Sequence, residues 1–199
     1  VYNKISQSLS EGDRWFITGY KTMPLPVEGA LTPWNTNIGK GADNGMTHRL
    51  VWYWEIGEDL WEGTNIEEKA PLWWAQMSNY VEEWGEEYSG RVLSEQDGTN
   101  EDYKWAHIWD IKANDPNQFK IAHDKIVKKF KKQFEGRWVA FGTYDINYPN
   151  GATHWVGVSG KDDHEHVMLY DELQKQSEFI KLIRERGKVK MLETIWLQV

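Results

Sequence analysis

The sequence predicts an α+β fold made of two consecutive βαββαβ units, and three observations support this prediction. The second half of the 199-residue chain alternates strand-type and helix-type hydrophobic patterns in that order. The first half repeats several motifs of the second. A segment rich in Gly, Asn and Asp at 97–102 separates the two halves. We therefore predict a first unit over residues 1–99 and a second unit over residues 100–199.

The elements of the second half follow from hydrophobic periodicity and capping residues. Asp115 before Pro116 is typical of a helix start, and Gly136 and Gly187 are typical of helix ends. The Pro-Asn-Gly segment at 149–151 predicts a hairpin turn. The predicted elements are strand Trp105–Ile111, helix Pro116–Glu135, strand Trp138–Asp145, strand Thr153–Ser159, a helix from about Glu165 to Arg186, and strand Val189–Val199.

Two motifs of the second half also occur in the first half. An Arg-Trp pair, followed by apolar residues, a glycine and a tyrosine, begins at Arg14 and again at Arg137. A Gly-x-Thr-His motif ends at His48 and at His154. These motifs indicate a tandem repeat of one fold. The superpositions that the repeat predicts are Trp15 on Trp138 and His48 on His154.

In this alignment the first unit lacks its first strand and carries an inserted loop over 23–44. Its later elements are predicted as a helix over Ala70–Tyr88, ended by Gly90, and a strand over Arg91–Gln96. An empty central strand position would leave backbone N–H and C=O groups unpaired, which is costly. We therefore expect either a chain that is part of a longer one or another segment in that position. The inserted loop and a strand from a second copy are the candidates, and the second would make the protein a homodimer.

Composition and charge exclude several partners. The net charge of −8 disfavours nucleic acids and anionic membranes as partners, because both require concentrated positive charge. The absence of cysteine excludes disulfides and thiolate chemistry. No apolar run approaches the roughly 20 residues of a membrane span. The compartment stays undetermined, with the cytoplasm favoured.

Tryptophan is unusually frequent, at 13 of 199 residues. Its rigid amphipathic ring serves cores, interfaces and stacked ligands alike. Binding of a saccharide or an aromatic ligand is therefore one interpretation of this frequency, and the filling of a core or an interface is the other.

Two consecutive ferredoxin-like units resemble the dimeric α/β-barrel superfamily. That superfamily includes antibiotic-biosynthesis-type monooxygenases, stress-responsive barrel proteins, EthD-like proteins and the chlorite dismutase and haem-handling proteins. The resemblance concerns topology and covers nearly the whole chain, without a family-specific motif. It implies two sheets that pack face to face around a largely apolar cavity, with helices outside.

The first strand of the second unit supplies the candidate catalytic residue. Alternation places Trp105, His107 and Trp109 on one strand face, which we predict to line the cavity, and smaller aliphatic residues on the helix-packed face. Glu193 lies between apolar neighbours on the last strand. We predict that His107 and Glu193 pair across the strands, so that the imidazole acts as a base. A buried structural pair and an exposed carboxylate at the sheet edge are the alternatives.

The ligand-binding residues predicted from the sequence come from both halves. His48 and His154 either satisfy turn backbone groups or approach a substrate as a pair. Trp34, on the inserted loop, covers the pocket if that loop is a lid. The full predicted ligand-binding set is Trp34, His48, Trp105, Trp109, Tyr144 and His154.

Neither a metal nor a cofactor is expected. The segment Asp162–His166 carries ligand-type residues but fits an acidic helix start better. No Ser/His/Asp order, phosphate loop or HExxH motif is present. An apolar cavity with one accessible histidine leaves haem open as an alternative.

Three functions are compatible with these features. The first is a cofactor-free oxygenase or isomerase that acts on an apolar or aromatic compound. The second is a non-catalytic binding protein for an apolar or saccharide ligand. The third is an oligomeric assembly module whose tryptophans form interfaces.

Overall fold

The computed structural model describes residues 14–22, 36–37, 48–54, 71, 75, 78–79 and 81–198. Within these residues, eight strands pair antiparallel to form one closed barrel in the order β1-β3-β2-β8-β5-β7-β6-β4. The strands are β1 (Arg14–Thr22), β2 (Thr36–Asn37), β3 (His48–Trp54), β4 (Val81–Gln96), β5 (Trp105–Ala113), β6 (Val139–Thr143), β7 (His154–Gly160) and β8 (Val189–Gln198). The mixed α+β class is therefore confirmed.

The strand order corrects the predicted alignment of the two halves. In the second half, β8-β5-β7-β6 is the order fourth, first, third, second of a ferredoxin-like unit. The first half runs β4-β1-β3-β2, so β1 lies between β3 and β4, in the position that β5 has in the second half. The superposition of Trp15 on Trp138 is therefore wrong, because Trp138 directly precedes β6. Each motif includes the start of an apolar strand, and this pattern does not specify which neighbours a strand has.

The predicted gap at a central strand position is also wrong. Strand β1 pairs directly with β3 on one side and with β4 on the other, so the first strand is present. The predicted insertion connects β1 to β3, and within it only β2 is described. His48 and His154 each begin the third strand of their half. The division of the chain at residue 99 stays a prediction, since strands from both halves share one barrel.

Strand β4 occupies a segment that was predicted to be helical as far as Tyr88. Pro71 and Ala75 are helical, but from Val81 onward the chain is extended. One part of β4 pairs with β1 and the remainder pairs with β6, which closes the barrel. Gly90 does not end a helix: a Cβ there would lie 1.7 Å from the Thr143 carbonyl oxygen. This glycine is required because two backbones approach closely, and the barrel pairing overrides the helix-like spacing of the apolar residues.

Three helices of the described residues cover the second half, and the starts of the first two follow predicted caps. They are α1 (Pro116–Lys129), α2 (Asp163–Gln174) and α3 (Ser177–Glu185). Asp115 accepts a hydrogen bond from Gln118 N at 2.9 Å, and Asp162 accepts one from Glu165 N at 2.7 Å. The single helix predicted over 165–186 is wrong, because the chain breaks into α2 and α3. None of the described helices is both long and apolar enough to cross a membrane.

The two faces of the sheet bury different sets of residues. The outer face packs against the helices and contains Val139, Phe141, Val156 and Val158. The other face, which lines the barrel interior, forms a cluster without helix residues. The cluster consists of Val92, Ala106, Ile108, Ala140, Tyr144, Ala152, Trp155 and Ile195. The predicted assignment of faces on β5 is therefore wrong, since Ala106 and Ile108 face the interior.

Candidate functional site

His107, the predicted catalytic base, lies on the outer face of the sheet beneath α2. Its ring centroid is 3.9 Å from that of Trp109 and 4.3 Å from that of Trp196, with which it is stacked. Its Nδ1 is 3.2 Å from Nε2 of His166. Burial, followed by the charge of His166, lowers the pKa of His107 to about 3. At neutral pH the two imidazoles are therefore neutral, and one donates a hydrogen bond to the other.

The predicted pairing of His107 with Glu193 is wrong. The β5–β8 register places His107 opposite Trp196, and Glu193 opposite Asp110. Directly opposed residues share a face, and alternate residues along a strand point to opposite faces. Glu193 therefore lies on the interior face, where its Oε2 accepts a hydrogen bond from Asn150 Nδ2 at 3.0 Å. The side chains of His107 and Glu193 are on opposite sides of the sheet.

The interior face carries an acidic residue that the sequence interpretation missed. Asp110 is fully buried, and its Oδ1 accepts a hydrogen bond from the Tyr144 hydroxyl at 2.5 Å. On the neighbouring strands, Trp155 and Glu193 lie directly opposite Asp110. The signal was available in the sequence, because Asp110 continues the aliphatic positions Ala106 and Ile108 at a period of two. A carboxylate at such a position requires a partner or a function.

On the interior face, two tryptophan rings occupy the space that the missing side chains of two glycines leave. A Cβ on Gly142 would lie 2.3 Å from the Trp155 ring, and a Cβ on Gly157 would lie 2.2 Å from the Trp138 ring. The two indoles are nearly parallel, with ring centroids 6.0 Å apart. The Nε1 of Trp138 donates a hydrogen bond to Glu95 Oε1 at 2.5 Å. Glycine thus creates the space into which each large ring fits, and indoles form part of the interior surface.

Two surface grooves of the described residues lie outside the barrel. One, of about 550 Å³, runs along α3, and the other, of about 380 Å³, lies between β4 and α1. Neither contains the residues of the interior face other than Glu95. The predicted tryptophan-lined cavity therefore stays a prediction.

The other predicted ligand-binding residues do not all lie on one face. Tyr144 is buried in the interior cluster, whereas Trp109 packs on the outer face with the helix-covered core. Trp105 is half-buried, two residues from His107 along β5, and so on the outer face as well. The side chain of His48 and all of Trp34 lie outside the described residues.

His154 is buried on the outer face, away from the interior. Its ring stacks on Phe141 with centroids 5.5 Å apart, and its Nδ1 is 2.7 Å from the Thr153 hydroxyl. Burial lowers the pKa of His154, and the charge of Asp145 partly opposes this effect. These contacts suit the structural role considered for this histidine. The approach of His48 and His154 to a shared ligand stays a prediction.

The histidine-rich start of α2 serves structural contacts. His166 is buried against the sheet, and burial, assisted by the Arg137 guanidinium, lowers its pKa to about 4. Glu165 pairs with Arg137, which also donates a hydrogen bond to the Ser159 carbonyl oxygen at 2.8 Å. In the part of the chain that the structure describes, no three acidic or histidine side chains cluster as metal ligands do.

Comparisons with known proteins support the fold. No protein-family model matches the chain, and no curated protein shows significant similarity to it. A solved structure of a provisionally assigned monooxygenase from Lactobacillus acidophilus NCFM is similar, with a TM-score of 0.54, 12% identity and 95% of each chain covered. A second such monooxygenase, from Fusobacterium nucleatum subsp. nucleatum, has a TM-score of 0.52 at 12% identity, covering 96% of this chain and 94% of the other. At this identity the likeness shows a shared monooxygenase-like α+β fold.

Proposed function

We propose that the barrel interior binds a small apolar or aromatic molecule and that the protein is a cofactor-free oxygenase or isomerase. The observation that carries this proposal is the fully buried Asp110 carboxylate, which accepts a hydrogen bond from Tyr144 on the interior face. A titratable group that is buried at an enclosed site is a candidate for acid–base chemistry. The monooxygenase-like fold of the solved neighbours is compatible with this function.

In this proposal Asp110 is the general base. It removes a proton from an acidic C–H or O–H group of the substrate, which is the first step of both an isomerisation and a cofactor-free reaction with O2. Tyr144 holds the carboxylate in place through its hydroxyl and donates to the charged form. Positioned general bases typically contribute about 10²- to 10⁴-fold to the rate. Glu193, next to Asp110 on the same face, is the group that could accept the proton onward.

The proposed substrate class follows from the surfaces around Asp110. Trp155 lies directly opposite Asp110 on the neighbouring strand, and Trp138 stacks parallel to it. Flat indole faces favour a planar, apolar or aromatic body. A substrate that combines such a body with an acidic proton, such as a phenol or an enolisable aromatic ketone, suits both the base and the rings.

The test compares the Asp110→Asn and Tyr144→Phe variants with the wild-type protein. Phenols and enolisable aryl ketones are the probes, O2 uptake reports oxygenation, and NMR of proton exchange at the substrate carbon reports base catalysis. We expect Asp110→Asn to lower kcat by about 10²- to 10⁴-fold with little change in KM. Asp171→Asn, which changes an exposed residue paired with Lys175 on α2, is the matched control. A folded Asp110→Asn variant that keeps the wild-type kcat would contradict the proposal.

Non-catalytic ligand binding is a second candidate, and the packing of Trp138 and Trp155 favours it. Each indole already fills the space beside a glycine, so this part of the interior is occupied by protein atoms. A ligand would then bind elsewhere on the interior face or after the rings move. Quenching of tryptophan fluorescence by the same probes, without O2 uptake or proton exchange in any of them, would favour binding alone.

We also propose that the two halves are copies of one ferredoxin-like unit. The orders β4-β1-β3-β2 and β8-β5-β7-β6 support this relation, with β1 matched to β5. An experimental structure in which β1 instead superposes on β6 would contradict it. Self-association into a homodimer stays a prediction, which light scattering would test.

A further inference from the structure

A second polar site lies outside the barrel, between α1 and Arg186, the residue that follows α3. Arg186 places its guanidinium carbon 5.0 Å from the centroid of the Phe119 ring. His123, from α1, stacks on the same Phe119 ring with centroids 6.3 Å apart. The two side chains are close enough for the charge of Arg186 to help lower the pKa of His123, after the larger effect of burial. The Phe119 ring therefore has both a cation and an imidazole as neighbours.

These two side chains contain three buried nitrogens without a hydrogen-bond partner. They are Nδ1 and Nε2 of His123 and Nε of Arg186. His123 is only 2% exposed, so water does not reach it freely. Buried polar groups are nearly always hydrogen-bonded, and exceptions point to an ion, a water molecule or a function. A neutral imidazole and a guanidinium both carry N–H donors that can bind an oxygen atom.

Arg186 also lacks a counter-ion among the described residues. The nearby carboxylates are already paired, since Asp124 contacts Lys120 at 3.0 Å and Glu185 contacts Lys125 at 3.2 Å. Burial lowers the pKa of Arg186 to about 10, with only Tyr170 acting in the opposite direction. The guanidinium nevertheless stays charged at neutral pH. A partly buried cation that has no anion among the described residues is unfavourable, and binding a monoanion would remove this imbalance.

We propose that His123 and Arg186 bind a small oxyanion, either a carboxylate or a phosphate group. The planar guanidinium fork matches the geometry of both groups. The imidazole of His123 supplies one N–H donor, and its second nitrogen accepts from a water or from a protonated oxyanion oxygen. Arg186 is only half-buried, so an ion can enter from solvent. This site is separate from Asp110 and is independent of the proposed function.

The test is thermal unfolding of the full chain in sodium formate, sodium phosphate or sodium chloride at matched ionic strength. Formate represents a carboxylate and phosphate a phosphoryl group. At a concentration of about four times its Kd, the favoured oxyanion should give a Tm about 2–4 °C higher than the Tm in sodium chloride. Arg186→Met should abolish this rise. Arg184→Met, which removes an exposed cation two residues before Arg186, should retain the rise in Tm.

A second measurement covers the outcome in which Arg186→Met does not fold. In the wild-type protein, the NMR signal of Arg186 Nε–H should shift saturably with the favoured oxyanion. His123→Leu should weaken binding by about 10-fold, as expected for one lost hydrogen bond to a charged group. A response to formate alone, or to phosphate alone, assigns the ligand class. Equal Tm values in all three salts, or a rise that persists in Arg186→Met, would overturn the proposal.

Discussion

Mild acid should destabilise the fold through two buried histidines. His123 is 2% exposed and His166 is 4% exposed. Burial is the main reason that the pKa of His123 falls to about 3 and that of His166 to about 4, from an ordinary value of 6.5. A base with a lowered pKa binds fewer protons when folded than when unfolded. Its contribution to stability is therefore complete above pH 6.5 and is lost as the pH falls toward the folded pKa.

The size of the effect follows from these values. At pH 5 each histidine is neutral in the folded protein but largely protonated in the unfolded chain. Each pKa unit corresponds to about 1.4 kcal/mol, so each histidine lowers the free energy of unfolding by about 2 kcal/mol at pH 5. Together the two account for about 4 kcal/mol, a large part of the roughly 5–15 kcal/mol typical of a folded domain. His107 acts in the same direction.

Glu165, which contacts His166 on α2, does not obscure this pH window. Burial acts to raise the pKa of Glu165, but its hydrogen bond and charge contact with Arg137 outweigh burial and lower it. A carboxylate with a lowered pKa loses its stabilising contribution only as the pH falls below its ordinary value of 4.5. Glu165 therefore does not add to the loss of stability expected between pH 7.5 and pH 5 from the imidazoles.

Urea unfolding followed by tryptophan fluorescence at pH 7.5, 6.5, 5.5 and 5.0 measures this dependence. The variants His123→Leu and His166→Leu should each reduce the loss between pH 7.5 and pH 5 by about 2 kcal/mol. The exposed His164, changed to Gln, should leave the wild-type profile unaltered. If the wild-type protein has the same free energy of unfolding at pH 7.5 and pH 5, buried neutral histidines do not control its acid stability.

Three further substitutions test the packing, each by its free energy of unfolding in urea. Arg137→Met should lower the free energy of unfolding by about 3–5 kcal/mol, because it leaves Glu165 without its partner. A decrease below about 1 kcal/mol would contradict this prediction. Gly157→Ala should cost at least about 1–3 kcal/mol, since its Cβ would meet the Trp138 ring, and an unchanged midpoint would show that the ring moves freely. Asp115→Ala should cost about 1 kcal/mol by removing the α1 cap, whereas Asp115→Asn should cost less.

Local features of the second half were predictable from the sequence. The caps Asp115 and Asp162, the position of β5 and the buried stripe of α1 all depend on residues within a few positions of one another. Such patterns reflect local hydrogen bonds and the periods of helix and strand, which the chain carries in any tertiary context. The break between α2 and α3 was missed because apolar residues continue at helical spacing across it.

The candidate site depended on tertiary structure. Alternation along β5 shows that two sets of residues face opposite ways, but a barrel strand covered by helices is buried on both sides, so hydrophobicity does not identify the interior. The register between β5 and β8 places Glu193 opposite Asp110 and not opposite His107. A shift of one residue reverses every side chain in a strand. The sequence alone thus determined the caps and most of the strands and helices of the second half, while the pairing of distant strands decided that β4 is extended and which side chains share the barrel interior.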